Sequence, residues 1–103
     1  MAIGQVAGPK LNFAVNKIGV YILRCINQRY YIGSTADFER RLEEHNEGKM
    51  KATKYLLPVH PVFFQTCKTA TEARKLEYQL KRKKSRKILE AIIQDGYIKF
   101  AGA

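Results

Sequence analysis

Apolar and β-branched residues crowd the stretch Ile18-Gly19-Val20-Tyr21-Ile22-Leu23-Arg24, which predicts a β-strand. Asn27-Gln28 follow as a turn. Tyr30 to Ser34 predict a second short strand ended by Gly33, close enough to the first to form a hairpin. The period then changes. From Thr35 to Gly48 the pattern is that of a helix of about three turns, with Thr35 or Asp37 as N-cap, Glu39 in the first turn and Gly48 as the stop. Lys49 to Leu57 is basic and aperiodic, a loop by composition, and Pro58 and Pro61 bracket His60. Val62 to Thr66 predicts a third strand that reaches toward Cys67. Thr69 or Thr71 caps a second helix from Ala70 to about Lys84, and Ser85 restarts a third to about Gln94, ended by Asp95-Gly96. The order strand, strand, helix, strand, helix, helix predicts an α+β fold, a small three-stranded sheet covered by helices.

No such pattern organises the ends. Residues 1–16, with Gly4, Gly8 and Pro9, read as an N-terminal lead-in whose Leu11 and Phe13 are candidates to dock on the core. Residues 17–95 form the predicted domain and 96–103 a C-terminal tail containing Gly102. A chain of 103 residues has room for one modest core. Its apolar share, 46%, excludes wholesale disorder. No apolar run is long enough to span a bilayer, and the start lacks the pattern of a signal peptide, so an intracellular protein without a membrane partner is expected. Cys25 and Cys67 stand far apart and predict reduced thiols, not a disulfide framework or a zinc site.

Charge changes the picture more. The formal net charge is +10, which on so small a body points to a polyanion, nucleic acid before an anionic membrane surface. The excess is concentrated in Lys81, Arg82, Lys83, Lys84, Arg86 and Lys87, interrupted only by Ser85. Like charges at this density repel without a counterion, and phosphate contact explains them best.

Polar groups on apolar faces supply the candidate chemistry. With Phe38 at 0° on the helical wheel, Leu42 lies at about 40°, His45 at about −20° and Arg41 at about −60°. His45 therefore sits within the inner stripe and Arg41 on its border, four residues away and adjacent. On the second helix Ala73, Leu76 and Leu80 form the stripe, and Glu77 falls between the two leucines. A carboxylate there needs a salt bridge, to Arg41 or a lysine, or a hard divalent cation. Tyr21 and Tyr31 lie on adjacent strands, and Gly33 permits a close backbone approach.

Gly19-Val20-Tyr21 and Tyr31-Ile32-Gly33 resemble the paired motifs that name the GIY-YIG nuclease family, with valine in place of isoleucine in the first. The following Ser34-Thr35-Ala36-Asp37-Phe38-Glu39-Arg40-Arg41, then His45-Asn46 and Gly48, and the later Ala73, Glu77 and Lys81 extend the resemblance over roughly residues 17–86. The chain is similar to small stand-alone members and to the nuclease subunit of structure-selective endonucleases. The resemblance implies a three-stranded antiparallel sheet flanked by helices and hydrolysis of DNA phosphodiesters. It implies that Arg41 holds the scissile phosphate and that Glu77 ligates Mg2+ or Mn2+, with no small-molecule cofactor. It further implies that Tyr21 and Tyr31 are the motif tyrosines, one of which helps activate water, and that His45 occupies a position that often carries histidine or tyrosine. Gly19 and Gly33 are the structural glycines of the motifs.

Arg41 suits a developing phosphate charge because a guanidinium is a fixed bidentate donor. Tyr21 is the expected general base, with Tyr31 positioning water or phosphate. A phenol has an ordinary pKa near 10 and needs a neighbouring cation, Arg41, Arg29 or the metal. His45 titrates nearer neutrality and is the rival base. Two other readings stand beside this one: a non-catalytic basic module that binds nucleic acid, and a nuclease subunit that needs a scaffold protein. No further targeting module is legible in the sequence, so selection of a substrate, branched or structured DNA among them, is expected to rest with this domain or a partner.

Overall fold

A computed structural model describes residues 17–83 and 85–98. The elements are β1 (Gly19–Arg24), β2 (Tyr30–Thr35), α1 (Phe38–Asn46), β3 (His60–Thr66), α2 (Ala70–Lys83) and α3 (Arg86–Asp95). The sheet runs β2-β1-β3 with both pairings antiparallel. The α+β reading is therefore correct in class, strand number and element order. No helix among the described residues is long and apolar enough to cross a membrane. The lead-in 1–16, Lys84 and residues 99–103 lie outside the described residues.

β1 is the central strand, and both of its faces are covered, which is why its sequence is a continuous apolar run without alternation. Val20 and Ile22 face one layer with Phe63, Ala73, Leu76, Leu80 and Ile92. Tyr21 and Leu23 face the other with Cys25, Phe38, Val59 and Phe64. The two-residue period of the strand thus feeds two clusters, one under α2 and α3 and one under α1. Core packing continues beyond residue 95. Ile98 is buried, and its N–H donates to Gln65 Oε1 at 2.9 Å.

The boundaries differ from expectation in informative ways. β3 begins at His60 and not Val62, so it contains Pro61. This is tolerated because β3 is an edge strand, where a missing N–H breaks no ladder on its open side. The ladder shifts register between Ile22 and Leu23, beside that proline. Of the paired cap candidates, Asp37 caps α1, accepting from Arg40 N at 3.2 Å, while Thr35 supports the turn by accepting from Asp37 N. Thr69 caps α2 by accepting from Glu72 N, and Ser85 caps α3 by accepting from Ile88 N.

The hairpin turn is held by Cys25 N–H donating to Arg29 O and Gln28 N–H donating to Cys25 O. It forces Gln28 to φ 70, the left-handed region that favours glycine. Asn27 compensates with its side chain, which accepts from Arg29 N. Arg86 ties the turn to α3, donating to Gln28 O at 2.9 Å and lying 4.5 Å from the Tyr30 ring centre. Because the contact uses the Gln28 backbone carbonyl, Gln28→Gly relieves the strain without cutting it. The variant is expected to be more stable by about 0.5–1 kcal/mol in urea denaturation. An unchanged or lowered midpoint would contradict this account of the turn.

Candidate active site

Tyr21, Tyr31, His45 and Arg41 come from β1, β2 and α1 and meet on the α1 side of the sheet. Tyr21 lies at the middle of the sheet with no exposed surface, its ring 6.2 Å from Tyr31, 5.2 Å from Phe38 and 5.8 Å from His45. Tyr31 is half-buried and its ring stands edge-on to His45 at 5.1 Å. Tyr21 pairs across the ladder with Gly33. A Cβ at Gly33 would fall 2.5 Å from the Tyr21 hydroxyl oxygen, so the glycine is what lets the phenol lie under β2. At Gly19 a Cβ would collide with the Gln65 carbonyl oxygen of β3, so the first motif glycine serves strand pairing and not the site.

His45 is fully buried, in agreement with its place on the wheel, and both ring nitrogens have partners. Nε2 lies 3.0 Å from the Tyr21 hydroxyl and Nδ1 lies 2.7 Å from Thr53 Oγ1. Thr53 is also fully buried, brought in by the loop after α1. Burial foremost, then the Arg41 guanidinium, pushes the His45 pKa down to about 4, with Glu44 opposing. The ring is therefore neutral at neutral pH, with one nitrogen donating and the other accepting.

The Tyr21 hydroxyl is held above its ordinary pKa of 10.0, first by burial and then by Tyr31, with Arg41 opposing and Glu77 adding to the rise. It therefore keeps its proton, and the acceptor in contact with it is His45 Nε2. Nδ1–H then donates to Thr53. The chain has one polarity, from Tyr21 through His45 to Thr53. Arg41 stands beside this chain, half-exposed, with its Nε 3.1 Å from Glu44 Oε1. Glu44 also takes Arg40 Nε at 3.3 Å, so one carboxylate steadies two neighbouring arginines.

Glu77 approaches from the other layer, at the edge strand. Ser34 Oγ donates to its Oε1 at 2.5 Å, and Lys81 Nζ lies 2.7 Å from its Oε2. Of the two salt-bridge partners considered for it, the lysine is the one observed. Its partner Ser34 follows Gly33, the ladder partner of Tyr21, so the carboxylate is held at the strand position next to the phenol's. No group of three or more His, Cys, Asp or Glu among the described residues could hold a metal ion. A single half-buried carboxylate does fit a hydrated Mg2+ or Mn2+, which typically takes one or two carboxylates and completes its shell with water and substrate phosphate. Glu77 would hold it, once Lys81 gives up Oε2.

The basic cluster lies at the α2–α3 junction and meets the site through Lys81. Lys81, Arg82, Lys83, Arg86 and Lys87 are exposed. They divide by engagement. Lys81 pairs with Glu77, Arg82 lies over the Tyr78 ring at 5.7 Å, and Arg86 bonds Gln28 O and Glu90 besides covering Tyr30. Arg29, Tyr30, Lys81 and Arg86 border a groove of about 370 Å³ between β2 and this junction. Arg29, weighed as a cation near Tyr21, stands in this groove.

Thr53 and Ser34 were not expected to matter. Thr53 is one threonine in a lysine-rich loop, and nothing local marks it. Ser34 follows the second motif directly, and its strand parity, shared with Tyr30 and Ile32, was the available signal that it faces α2.

The buried neutral histidine makes stability depend on pH. Its folded-state pKa lies below the unfolded value of 6.5, so its full contribution is present above pH 6.5 and falls as pH drops toward 4. The loss is on the order of 3 kcal/mol, complete below pH 4. Denaturation curves across this range are expected to show it, and His45→Gln to remove that part of the slope. A His45 ring that titrates near 6.5 by NMR would contradict the burial argument.

Comparison with known proteins bears on what this arrangement is. A family model described as the GIY-YIG catalytic domain matches residues 17–89. A UPF0213 protein of Streptococcus pneumoniae is 44% identical over 70 residues, covering 67% of this chain and 71% of the relative. A UPF0213 protein of Staphylococcus aureus is 39% identical over 74 residues, covering 71% of this chain and 90% of the relative. No solved structure matches. The matched span begins before β1, ends within α3 and takes in every side chain of the site, and the chain belongs to the GIY-YIG family of nuclease domains.

Proposed function

We propose that the protein is a divalent-metal-dependent endonuclease that hydrolyses DNA phosphodiester bonds. The observation that carries this reading is the junction of Tyr21, Tyr31, His45 and Arg41 in one hydrogen-bonded and edge-packed group, with Glu77 bonded to Ser34, the neighbour of the Gly33 that pairs with Tyr21. A sheet packed for stability alone has no need of a buried phenol and imidazole at its centre.

Arg41 receives the scissile phosphate. Its half-exposed guanidinium offers a fixed fork of donors, and Glu44 holds it at the mouth of the site. Tyr21 is the proton acceptor for the attacking water. Its own proton passes to His45 Nε2 as its oxygen takes the proton of the water, and His45 keeps its other proton on Thr53. Arg41 favours the phenolate, which is the direction the transfer requires. The same guanidinium disfavours imidazolium at rest. A bound phosphate partly neutralises Arg41 and so raises the proton affinity of His45 when substrate is present. Tyr31, half-buried beside both rings, positions water or phosphate. A divalent cation on Glu77, when bound, supplies charge stabilisation for the leaving oxygen. Ser34 fixes the carboxylate that would hold it. Lys81, Arg82, Lys83, Lys84, Arg86 and Lys87 contact flanking phosphates.

Cleavage of supercoiled plasmid and of a branched DNA, in Mg2+, in Mn2+ and in chelator, tests the reading. Cleavage is expected only with metal, and Glu77→Ala and Arg41→Ala are each expected to lower it at least ~100-fold while leaving binding in chelator largely intact. Metal-dependent cleavage that persists in Glu77→Ala would overturn the assignment of that residue. Tight, salt-sensitive binding without cleavage would favour a binding module, and cleavage that appears only on adding a partner protein would favour a subunit.

Ser34→Ala is expected to weaken Mn2+ binding by roughly 10- to 100-fold, read from the free-ion signal in electron paramagnetic resonance. An unchanged affinity would show that the serine does not orient the carboxylate.

A further inference from the structure

We infer that the loop from Lys49 to Tyr55 is a second nucleic-acid contact, in which Tyr55 stacks on an unpaired base beside the site. The identity of the partner as nucleic acid rests on the proposed function.

Tyr55 is the most exposed large apolar side chain among the described residues, at 84%. An exposed tyrosine alone is ordinary. This one sits on a loop that is fixed, not loose. Thr53 N–H and Lys54 N–H both donate to Met50 O, and Leu56 N–H donates to Thr53 O. Thr53 anchors the loop to His45 at 2.7 Å, and Ile26 N–H donates to Leu56 O, tying its far end to the β1–β2 turn. The ring is thus presented from a rigid base, which lowers the entropic cost of stacking.

Position and charge complete the case. Tyr55 follows Thr53 by two residues, so its Cα lies within about 7 Å of that of the residue touching His45. Lys54 Nζ stands over the Tyr55 ring, 5.0 Å from its centre. Lys49 pairs with Glu47, but Lys51 and Lys54 have no ion-pair partner among the described residues. No acidic residue occurs from Gly48 to Thr71. An aromatic platform flanked by lysines without acidic partners is how proteins hold single-stranded nucleic acid, because every base offers a π-face and every nucleotide a phosphate. A base within a duplex is already stacked and offers no such face. The loop therefore favours substrates that carry an unpaired nucleotide.

The test is fluorescence anisotropy in chelator with the full chain, using a labelled 12-nucleotide single strand and a duplex of the same sequence. Metal-dependent cleavage of both by the parent is read alongside. Tyr55→Ala is expected to weaken single-strand binding by roughly 5- to 150-fold. Duplex binding is expected to change little, and Tyr55→Phe to retain the parent affinity for both. Lys51→Ala with Lys54→Ala is expected to reduce the salt dependence of single-strand binding by about 1.4 units of slope. The inference is overturned if Tyr55→Ala binds the single strand like the parent, if it loses single strand and duplex equally, or if Tyr55→Phe is as weak as Tyr55→Ala. A parent that binds as expected but cuts neither nucleic acid in metal overturns the nuclease reading and leaves this one standing. A parent that cuts while Tyr55→Ala binds normally does the reverse.

Discussion

Tyr21, His45 and Thr53 place a hydroxyl, an imidazole and a second hydroxyl on three fully buried residues, and the imidazole bonds both hydroxyls. A buried polar group left unpaired costs about 1–3 kcal/mol, so the chain holds together or becomes a liability at the centre of the fold. It joins three segments that share no sequence neighbourhood: the central strand, the end of α1 and the loop beyond it. Much of the surrounding architecture follows. Gly33 is small because the phenol lies beneath it. Phe38 packs between Tyr21 and Phe64, stacked on the latter at 4.7 Å, and closes the cluster over the chain.

The same burial sets the electrostatics. It raises the phenol, lowers the imidazole and so fixes the direction of the hydrogen bonds between them. Arg41 acts on both groups, favouring phenolate and disfavouring imidazolium. The site is thus poised by one half-exposed cation, and whatever anion approaches that cation changes the poise. Charge elsewhere is strongly segregated. Five of the nine acidic residues, Asp37, Glu39, Glu43, Glu44 and Glu47, lie on or beside α1. The densest basic run lies at the α2–α3 junction, across the sheet. The acids of α1 are largely paired, Glu39 with Lys17, Glu44 with Arg40 and Arg41, and Glu47 with Lys49.

The sequence made the fold legible wherever one pattern dominated. The continuous apolar run of β1 marked a strand covered on both faces, and Ser85 and Gly96 bracketed α3. β3 was misjudged at its start because Pro61 reads as a breaker, and only the edge position of the strand makes it acceptable. Within the site, the wheel placed His45 within the inner stripe, where it is fully buried, and Glu77 between two core leucines, where it is half-buried. Thr53 could not be found this way. Its burial depends on how an aperiodic loop folds back on α1, which is a matter of tertiary contact with no local signature. Arg86 shows the opposite limit. Its place in a basic run says phosphate, while its contacts with Gln28, Tyr30 and Glu90 also give it a structural task that charge counting cannot reveal.

Tyr21, His45 and Thr53 form one chain of fixed polarity around a neutral imidazole. Ring 15N chemical shifts of His45 at pH 7 test it most directly, since they separate the two neutral tautomers from each other and from imidazolium. The account predicts a proton on Nδ1 with Nε2 unprotonated and hydrogen-bonded, and a shift toward the other tautomer or toward exchange between them when Thr53 is replaced by valine. A proton on Nε2 in the parent protein, or an imidazolium at pH 7, would contradict it.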